Sequence, residues 1–257
     1  MQISILWTEF TSINKKNKGV DKTPFLYYNN IMKTLVFQIN IKPNNFKWSG
    51  RKKFEYSNSL YDFSNQRAKK YANKFGADYF CLDNTNWLGN DYAPTFHKLY
   101  IYELFNKYDK IFYLDSDAII TKICPNIFEY HKVSAVLDDA IHTPSGEKRW
   151  KRKLKIHNLP ETHKYFCAGV ILFDKEFIDK TELYWKEELK NWKDVKNAQH
   201  DQSVLNVLVS KYYGEYNILE SDWGSWMKNG KYINHYAGPT QTSEWTEEKF
   251  LKWESKL

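Results

Sequence analysis

The chain has 257 residues, enough for one large domain or two small ones with a sizeable hydrophobic core. No apolar run approaches the roughly 20 residues of a membrane span, and no basic segment followed by a long apolar stretch opens the sequence, so an unexported, cytoplasmic protein is expected. The net charge of +7 and the 18% aromatic content are compatible with nucleic-acid binding, but the basic residues are mostly scattered, and no nucleic-acid partner is expected.

Strand-like and helix-like segments alternate along the first half of the chain. Thr34–Ile41 is typical of a strand, Ser59–Gly76 of a helix that ends on a glycine, and Asp78–Leu82 of a second strand. A proline opens a further helical stretch, Thr95–Tyr108, which leads into the apolar strand Ile111–Leu114. The order β-α-β-α-β predicts an α/β fold.

The first 31 residues fit this pattern poorly. They contain one short strand candidate, Ile3–Trp7, followed by a polar stretch. The expected division is an N-terminal extension of uncertain role over residues 1–31 and one domain over residues 32–257.

Two carboxylates, Asp115 and Asp117, directly follow the third predicted strand in the stretch IFYLDSDAII. In an open parallel sheet, ligands bind beyond the carboxyl ends of the strands. Two such close carboxylates push one pKa upwards unless a cation lies between them, and a hard divalent ion takes oxygen ligands. A lone Asp-x-Asp also serves as a turn or a helix cap, so the motif by itself leaves both interpretations open.

A metal-binding Asp-x-Asp after a strand resembles two enzyme classes. In haloacid-dehalogenase-like phosphatases the first Asp is a nucleophile and the second a general acid, and the motif normally opens the domain. In nucleotide-sugar glycosyltransferases of the GT-A fold, the motif ends a strand near mid-domain and holds Mn²⁺ or Mg²⁺ against the donor diphosphate. Several elements precede the motif in this chain, which favours the second class.

Three further stretches follow in order: FCAGVILFD at Phe166–Asp174, HDQSVLN at His200–Asn206, and HYAG at His235–Gly238. They resemble the Asn-Ala-Gly-Val strand, the Asp-Gln-x-x-Leu-Asn helix start and the His-x-x-Gly of the glycogenin-like and lipopolysaccharide-galactosyltransferase-like family of retaining glycosyltransferases. The resemblance covers roughly Thr34–Trp245. It implies that residues 32–257 form a single GT-A (Rossmann-like) nucleotide-sugar-binding domain with a mostly parallel mixed sheet.

The resemblance also implies the residues of the metal and reaction sites. Asp115, Asp117 and His235 match metal ligands, and a nitrogen ligand beside two carboxylates favours Mn²⁺ over Mg²⁺, although Mg²⁺ stays possible. Asp201 and Gln202 match residues at the donor sugar, with Gln202 on its reacting face. The structural alternatives are that Asp201 only caps its helix and that His235 is a packed or solvent-exposed residue.

Donor binding is implied for five further residues, the first four of which have a structural alternative. Lys98 matches a basic residue facing the donor, or it lies on a solvated helix face. Asp138 matches a carboxylate that binds sugar hydroxyls, or it forms a turn. Ala168 and Gly169 leave room for a sugar, or let two backbones approach. Gly238 would offer backbone N–H groups to the diphosphate.

The implied reaction moves a hexose from a nucleoside-diphosphate sugar, by resemblance a UDP-sugar, to a glycan or another hydroxyl acceptor with retention. A divalent cation would stabilise the charge that develops on the leaving diphosphate. Two alternatives stay open: a haloacid-dehalogenase-like phosphatase using Asp115 and Asp117, and a non-catalytic nucleotide-sugar or nucleic-acid binding module.

The chain departs from the family pattern at two places. Cys167 replaces an Asn whose amide would bind a sugar hydroxyl, and Gln241 stands where a lysine is usual. A substitute cation could come from Lys98 or from the basic stretch Lys148–Lys155. That stretch lies in Ile141–Tyr165, which is interpreted equally well as a mobile lid and as a solvated helix.

The three cysteines, Cys81, Cys124 and Cys167, are odd in number, widely spaced and without a Cys-x-x-Cys pair. Neither a disulfide framework nor a zinc cluster is indicated. A reducing, cytoplasmic environment is expected.

Overall fold

The computed structural model describes residues 32–41, 58–89, 92–138, 144–192, 200–224, 230–236 and 245–257. All of them belong to the unit Met32–Leu257. The strand candidate Ile3–Trp7 and residues Gly238 and Gln241 lie outside the described residues, and the proposed boundary after residue 31 stays a prediction. In the described part of the chain, no helix has both the length and the hydropathy to cross a bilayer.

The described residues form strands, α-helices and shorter helical turns. The strands are β1 (Thr34–Ile39), β2 (Asp78–Leu82), β3 (Lys110–Leu114), β4 (Ala118–Ile120), β5 (Ser134–Leu137), β6 (Phe166–Asp174), β7 (Asn217–Leu219) and β8 (Ile233–His235). The α-helices are α1 (Asn58–Lys74), α2 (Ile101–Leu104), α3 (Pro144–Ile156), α4 (Lys175–Thr181), α5 (Trp185–Trp192), α6 (His200–Leu208) and α7 (Glu247–Glu254). Short 3₁₀ helices span Pro94–Tyr100, Ile127–Glu129 and Ser221–Trp223, and a π-helical turn spans Val209–Tyr213.

Six strands form one mixed sheet in the order β2-β1-β3-β6-β5-β7. β1 is parallel to β2 and β3, and β5 is parallel to β7, whereas β6 runs antiparallel to both of its neighbours. The predicted α/β fold with a mostly parallel mixed sheet is therefore confirmed. β4 and β8 form a separate antiparallel ribbon that leaves the sheet at the end of β3.

Alternate residues along the central strands face two apolar clusters, as the period of two requires. Leu35 and Phe37 of β1 belong to a cluster that includes residues of α4, α5 and α6. Val36, which lies between them, belongs to a second cluster with Ala68 and Tyr71 of α1. Helices therefore cover both faces of the sheet.

The predicted helix that ends at Gly76 is confirmed, together with its cap. Gly76 has φ +67°, the left-handed conformation that glycine adopts without strain. The N–H of Ala77 donates to the carbonyl of Ala72 at 2.9 Å, and the N–H of Gly76 donates to the carbonyl of Asn73 at 3.4 Å. This is the Schellman pattern, in which N–H groups beyond the helix end donate to carbonyls of its last turn.

The predicted helix over Thr95–Tyr108 is shorter than expected. Residues Pro94–Tyr100 form a 3₁₀ helix, and regular α-helix is confined to Ile101–Leu104. Four consecutive side chains, Phe96 to Leu99, are buried. An amphipathic α-helix buries one face only, so this segment is enclosed by the protein on several sides, and Lys98 is drawn inside with it.

Candidate active site

The Asp-x-Asp motif occupies the turn between β3 and β4, at the carboxyl end of β3. The N–H of Asp115 donates to the carbonyl of Gly169 at 2.8 Å, and the N–H of Ala118 donates to the carbonyl of Asp115 at 3.0 Å. Pairing of β4 with β8 then sets Ala118 opposite His235. The ribbon therefore brings a histidine from the far end of the sequence beside Asp117.

Asp115, Asp117 and His235 each present a ligand atom within 4.8 Å of the other two. Nε2 of His235 lies 3.2 Å from Asp117 Oδ1 and 3.6 Å from Asp115 Oδ2. His235 is buried, and neither ring nitrogen has a hydrogen-bond partner of good geometry among the described residues. Two carboxylate oxygens and an imidazole nitrogen that converge in this way fit a divalent cation.

The ionisation of His235 and Asp117 reflects the same geometry. Burial lowers the pKa of His235, but Asp117 and then Cys167 together raise it, and the pKa lies well above its ordinary value. Burial likewise raises the pKa of Asp117, but His235 and then Lys98 together lower it, and the net pKa is lowered. The site therefore favours positive charge beside these carboxylates, which a proton or a metal ion can supply in competition.

Gly169 lies where no side chain fits. A Cβ at this position would be 2.3 Å from Cε1 of His235 and 2.6 Å from Oδ2 of Asp115. The expectation was that Ala168 and Gly169 leave room for a sugar or let two backbones approach. At Gly169 the space is instead filled by the side chains of two candidate metal ligands, so any larger residue would displace them.

Lys98 is buried and bridges the two halves of the site, so the solvated-face interpretation is wrong. Its Nζ lies 3.0 Å from Asp115 Oδ1, 2.7 Å from Asp201 Oδ2 and 3.2 Å from the carbonyl oxygen of Ala168. An ammonium has three protons, and these contacts engage all of them. Burial lowers the pKa of Lys98, but Asp115 and then Asp201 together raise it by a larger amount. The net pKa is raised, so the lysine stays charged.

Helix α6 places Asp201 and Gln202 against β6 and the end of β5. Gln202 accepts a hydrogen bond from the N–H of Ala168 at 3.3 Å and donates Nε2 to Asp138 Oδ2 at 2.9 Å. Burial raises the pKa of Asp201, but Lys98 outweighs it, and the pKa is lowered. Both ends of the Gln202 amide are therefore engaged with other predicted site residues.

The structure brings nearly all predicted site residues into one connected set. Its members are Lys98, Asp115, Asp117, Asp138, Ala168, Gly169, Asp201, Gln202 and His235. The tenth, Gly238, lies outside the described residues. Cys167 is also buried, and its thiol is close enough to His235 to contribute, after Asp117, to the raised pKa of that histidine.

Three polar residues that support the Asp-x-Asp turn escaped the sequence interpretation. The hydroxyl of Tyr113 donates to Asp115 Oδ1 at 2.5 Å. Gln38 donates Nε2 to Ser64 Oγ at 3.1 Å and to the carbonyl of Asp115 at 3.4 Å, and Ser64 donates to the carbonyl of Ala118 at 2.5 Å. A polar side chain inside an apolar strand was the available signal, because buried polar groups require partners.

The basic segment forms a surface helix. The charged side chains described along α3 are exposed: Glu147, Lys148, Lys151, Arg152 and Lys155. Lys151 pairs with Glu147 at 2.8 Å, while Leu154 packs on Leu159 and on Val207 of α6. This is the solvated-helix geometry, and closure of the segment over a ligand stays a prediction.

A model of glycosyl transferase family 8 matches residues 8–246. The chain belongs to glycosyl transferase family 8. The predicted family and enzyme class are thereby confirmed, and the chain is a glycosyltransferase rather than a phosphatase. No curated protein matches the sequence.

Solved structures with the same fold include other glycosyltransferases. The galactosyltransferase LgtC, in complex with donor and acceptor sugar analogues, is 16% identical with a TM-score of 0.56, over 87% of this chain and 96% of that one. A glycosyltransferase involved in glycosylation of the major capsid of PBCV-1 is 11% identical with a TM-score of 0.51, over 88% and 100%. The bifunctional WbbM is 18% identical with a TM-score of 0.52, over 82% and 46%. These likenesses show that the family 8 chain has the GT-A fold.

Proposed function

We propose that this family 8 glycosyltransferase moves a hexose from a UDP-sugar to a hydroxyl of a glycan or another acceptor, with Mn²⁺ as its metal, or Mg²⁺ in its place, and with retention. The observation that carries the proposal is the convergence of ligand atoms from Asp115, Asp117 and His235 within 4.8 Å. The likeness to a galactosyltransferase that binds donor and acceptor sugar analogues supports a sugar donor and a sugar acceptor.

The chain's own residues would divide the work as follows. Asp115, Asp117 and His235 would hold the cation, which when bound supplies Lewis-acid stabilisation of charge on the leaving diphosphate. Asp138 and Gln202, whose side chains are joined by a hydrogen bond of 2.9 Å, would orient the donor sugar. Cys167 offers no amide to a sugar hydroxyl, so the proposal leaves the identity of the hexose open.

A cytoplasmic location is part of the proposal. Cys81, Cys124 and Cys167 are all free thiols, which suits a reducing compartment. The partners in this proposal are the nucleotide-sugar donor and the hydroxyl acceptor, with no nucleic acid.

The base and the metal can be tested together by thermal unfolding with UDP, GDP or CDP, each with and without Mn²⁺ or Mg²⁺. A ligand at 100 times its Kd stabilises the native state by about 2.7 kcal/mol. For a domain of this size that corresponds to a rise in Tm of several degrees. We expect this rise with UDP and Mn²⁺ together, and little with either alone.

Other outcomes of this screen have defined meanings. A rise with GDP or CDP in place of UDP would contradict the proposed base. An equal rise with UDP in the absence of both cations would contradict the proposed metal dependence.

The stereochemistry of transfer is a separate prediction. The pair Asp201-Gln202 and the position of His235 resemble retaining enzymes, so the product should keep the anomeric configuration of the donor. Proton NMR of the first-formed product gives the coupling constant of the anomeric proton. An inverted anomeric centre would contradict retention while leaving transferase activity untouched.

A further inference from the structure

The two oxygens of the Asp115 carboxylate have different surroundings. Oδ1 accepts the hydroxyl proton of Tyr113 at 2.5 Å and lies 3.0 Å from Nζ of Lys98. Oδ2 faces the other way, 3.6 Å from Nε2 of His235 and beside Gly169. One oxygen is therefore occupied by protein donors, and the other belongs to the candidate metal group.

Tyr113 is firmly built into the protein. It lies on β3 two residues before Asp115, which follows the end of the strand, and the two side chains meet in the bond to Oδ1. Its side chain is buried, its ring packs edge-on against Phe37 at 5.5 Å between centroids, and Nζ of Lys98 lies 5.0 Å from the ring centroid. Because a tyrosine hydroxyl carries a hydrogen and an ionised carboxylate does not, Tyr113 is the donor in its bond to Asp115.

A carboxylate without partners rotates easily about its terminal bond, since that torsion is broad and twofold. Rotation would exchange the two oxygens of Asp115 or turn both away from His235. A short hydroxyl hydrogen bond and a contact with an ammonium, both to Oδ1, oppose this rotation. Hydrogen bonds to an ionised group are about twice as strong as neutral ones, and groups behind metal ligands commonly orient them in this way.

We propose that Tyr113 is a positioning residue for the metal site: its hydroxyl, together with Lys98, occupies Oδ1 of Asp115, so that Oδ2 alone is presented to the cation. The inference rests on the proposed function, because it assumes that Asp115 binds a divalent ion. Lys98 also holds Asp201, whereas the hydroxyl of Tyr113 bonds to Asp115. The contribution of Tyr113 can therefore be measured by removing one oxygen atom.

The test is Tyr113→Phe, which removes the hydroxyl and keeps the buried ring. Mn²⁺ binding is followed by electron paramagnetic resonance of the free ion, with and without UDP, so the readout does not depend on activity. Affinity for Mn²⁺ should fall about tenfold, the usual scale for a group that orients a metal ligand. In transfer assays, the Mn²⁺ concentration for half-maximal rate should rise by the same factor, while the rate at saturating Mn²⁺ should change much less.

Tyr102→Phe is the matched control. Tyr102 is also a buried tyrosine of the same apolar cluster, and its hydroxyl lies 2.7 Å from Oγ1 of Thr181, away from the carboxylates of the site. This variant loses a buried hydrogen bond between neutral groups, so its Tm should fall, but by less than that of Tyr113→Phe. Its Mn²⁺ affinity should equal that of the wild type.

The outcomes separate the inference from the proposed function. If the wild type binds no Mn²⁺ with or without UDP, the inference is overturned, and the proposed function is then judged separately by sugar transfer with Mg²⁺. If the wild type binds Mn²⁺ and Tyr113→Phe binds it equally well, the inference alone is wrong. Equal weakening in the Tyr113 and Tyr102 variants would show a general effect of stability and would also overturn it.

Discussion

Replacing Asp117 with asparagine is expected to abolish Mn²⁺-dependent UDP binding and to lower sugar transfer by about a thousandfold, while the protein stays folded. Asp117 Oδ1 lies 3.2 Å from His235 Nε2 within the candidate metal group, and an amide is a far weaker ligand than a carboxylate. Loss of metal stabilisation costs several kcal/mol in the transition state, and about 4 kcal/mol corresponds to a thousandfold in rate. The Tm shift with UDP and Mn²⁺ measures binding, and initial rates measure transfer.

Asp179→Asn makes the same change of atoms elsewhere. Asp179 is exposed on α4 and pairs with Lys175 at 2.9 Å, and such surface pairs contribute little. This control should keep both the Tm shift and the activity. Persistence of a Mn²⁺-dependent response to UDP in Asp117→Asn would show that the metal lies elsewhere.

The second large effect concerns stability. Lys98→Met should lower the free energy of unfolding at pH 7 by about 3 kcal/mol. The reason is that the carboxylates of Asp115 and Asp201 would lose the positive charge that neutralises them inside the protein. The side chains of Lys98 and Asp201 are only 4% and 11% exposed, and their charged atoms are 2.7 Å apart. Chemical denaturation at several pH values measures the loss.

The pH dependence of this loss has a definite sign. In the wild type, burial raises the pKa of Asp201. Interactions led by that with Lys98 lower it by a larger total amount, so the net pKa is depressed. The resulting stabilisation is present above the unfolded value of about 4 and disappears as the pH falls through the folded value. Without the lysine, burial alone would raise the pKa of Asp201, so the variant would lose stability as the pH rises. The deficit should therefore be largest near neutrality and smaller near pH 4.5.

Lys110→Met is the control for burial of a lysine. Lys110 begins β3, is also buried, and donates to the carbonyl oxygens of Phe128 and Tyr130 at 2.6 and 2.7 Å. Its hydrogen-bond partners are neutral, and the charge of Asp174 only partly offsets the burial that lowers the pKa of Lys110. This variant should therefore lose less stability, and its deficit should shrink less near pH 4.5 than that of Lys98→Met. A deficit in Lys98→Met that is independent of pH would contradict a charge-based role for Lys98.

Much of the sheet was predictable because strand and turn signals are local. Asp78–Leu82 was predicted with the bounds that β2 has in the structure, and the stretch Phe166–Asp174, which resembles a strand of the family, coincides with β6. The glycine at the end of α1 was also predictable, since a left-handed cap favours this residue. The helix over Thr95–Tyr108 was predicted too long, because its consecutive buried residues reflect enclosure by neighbouring elements rather than one amphipathic face.

The residues of the candidate site were found from their sequence motifs, but their contacts were not. Sequence spacing could not reveal that Gln202 bonds to Asp138, since the two residues come together only when α6 packs beside the end of β5. The role of the missing side chain at Gly169 was likewise hidden, because its neighbours His235 and Asp115 come from different strands.

The sequence by itself determined the family, the α/β class and the Asp-x-Asp turn at the end of a buried strand. Periodicity, caps and each short motif depend on residues that are close together in the sequence, and the order of the motifs can be read along the chain. Only the tertiary structure decided that β4 pairs with β8 and so brings His235 to Asp117, and that Lys98 lies inside the protein between Asp115 and Asp201. The physical reason is that a charge or a metal ligand is defined by atoms within a few ångströms of it. Which atoms lie that close is determined by how the strands and helices pack, and not by distance along the chain.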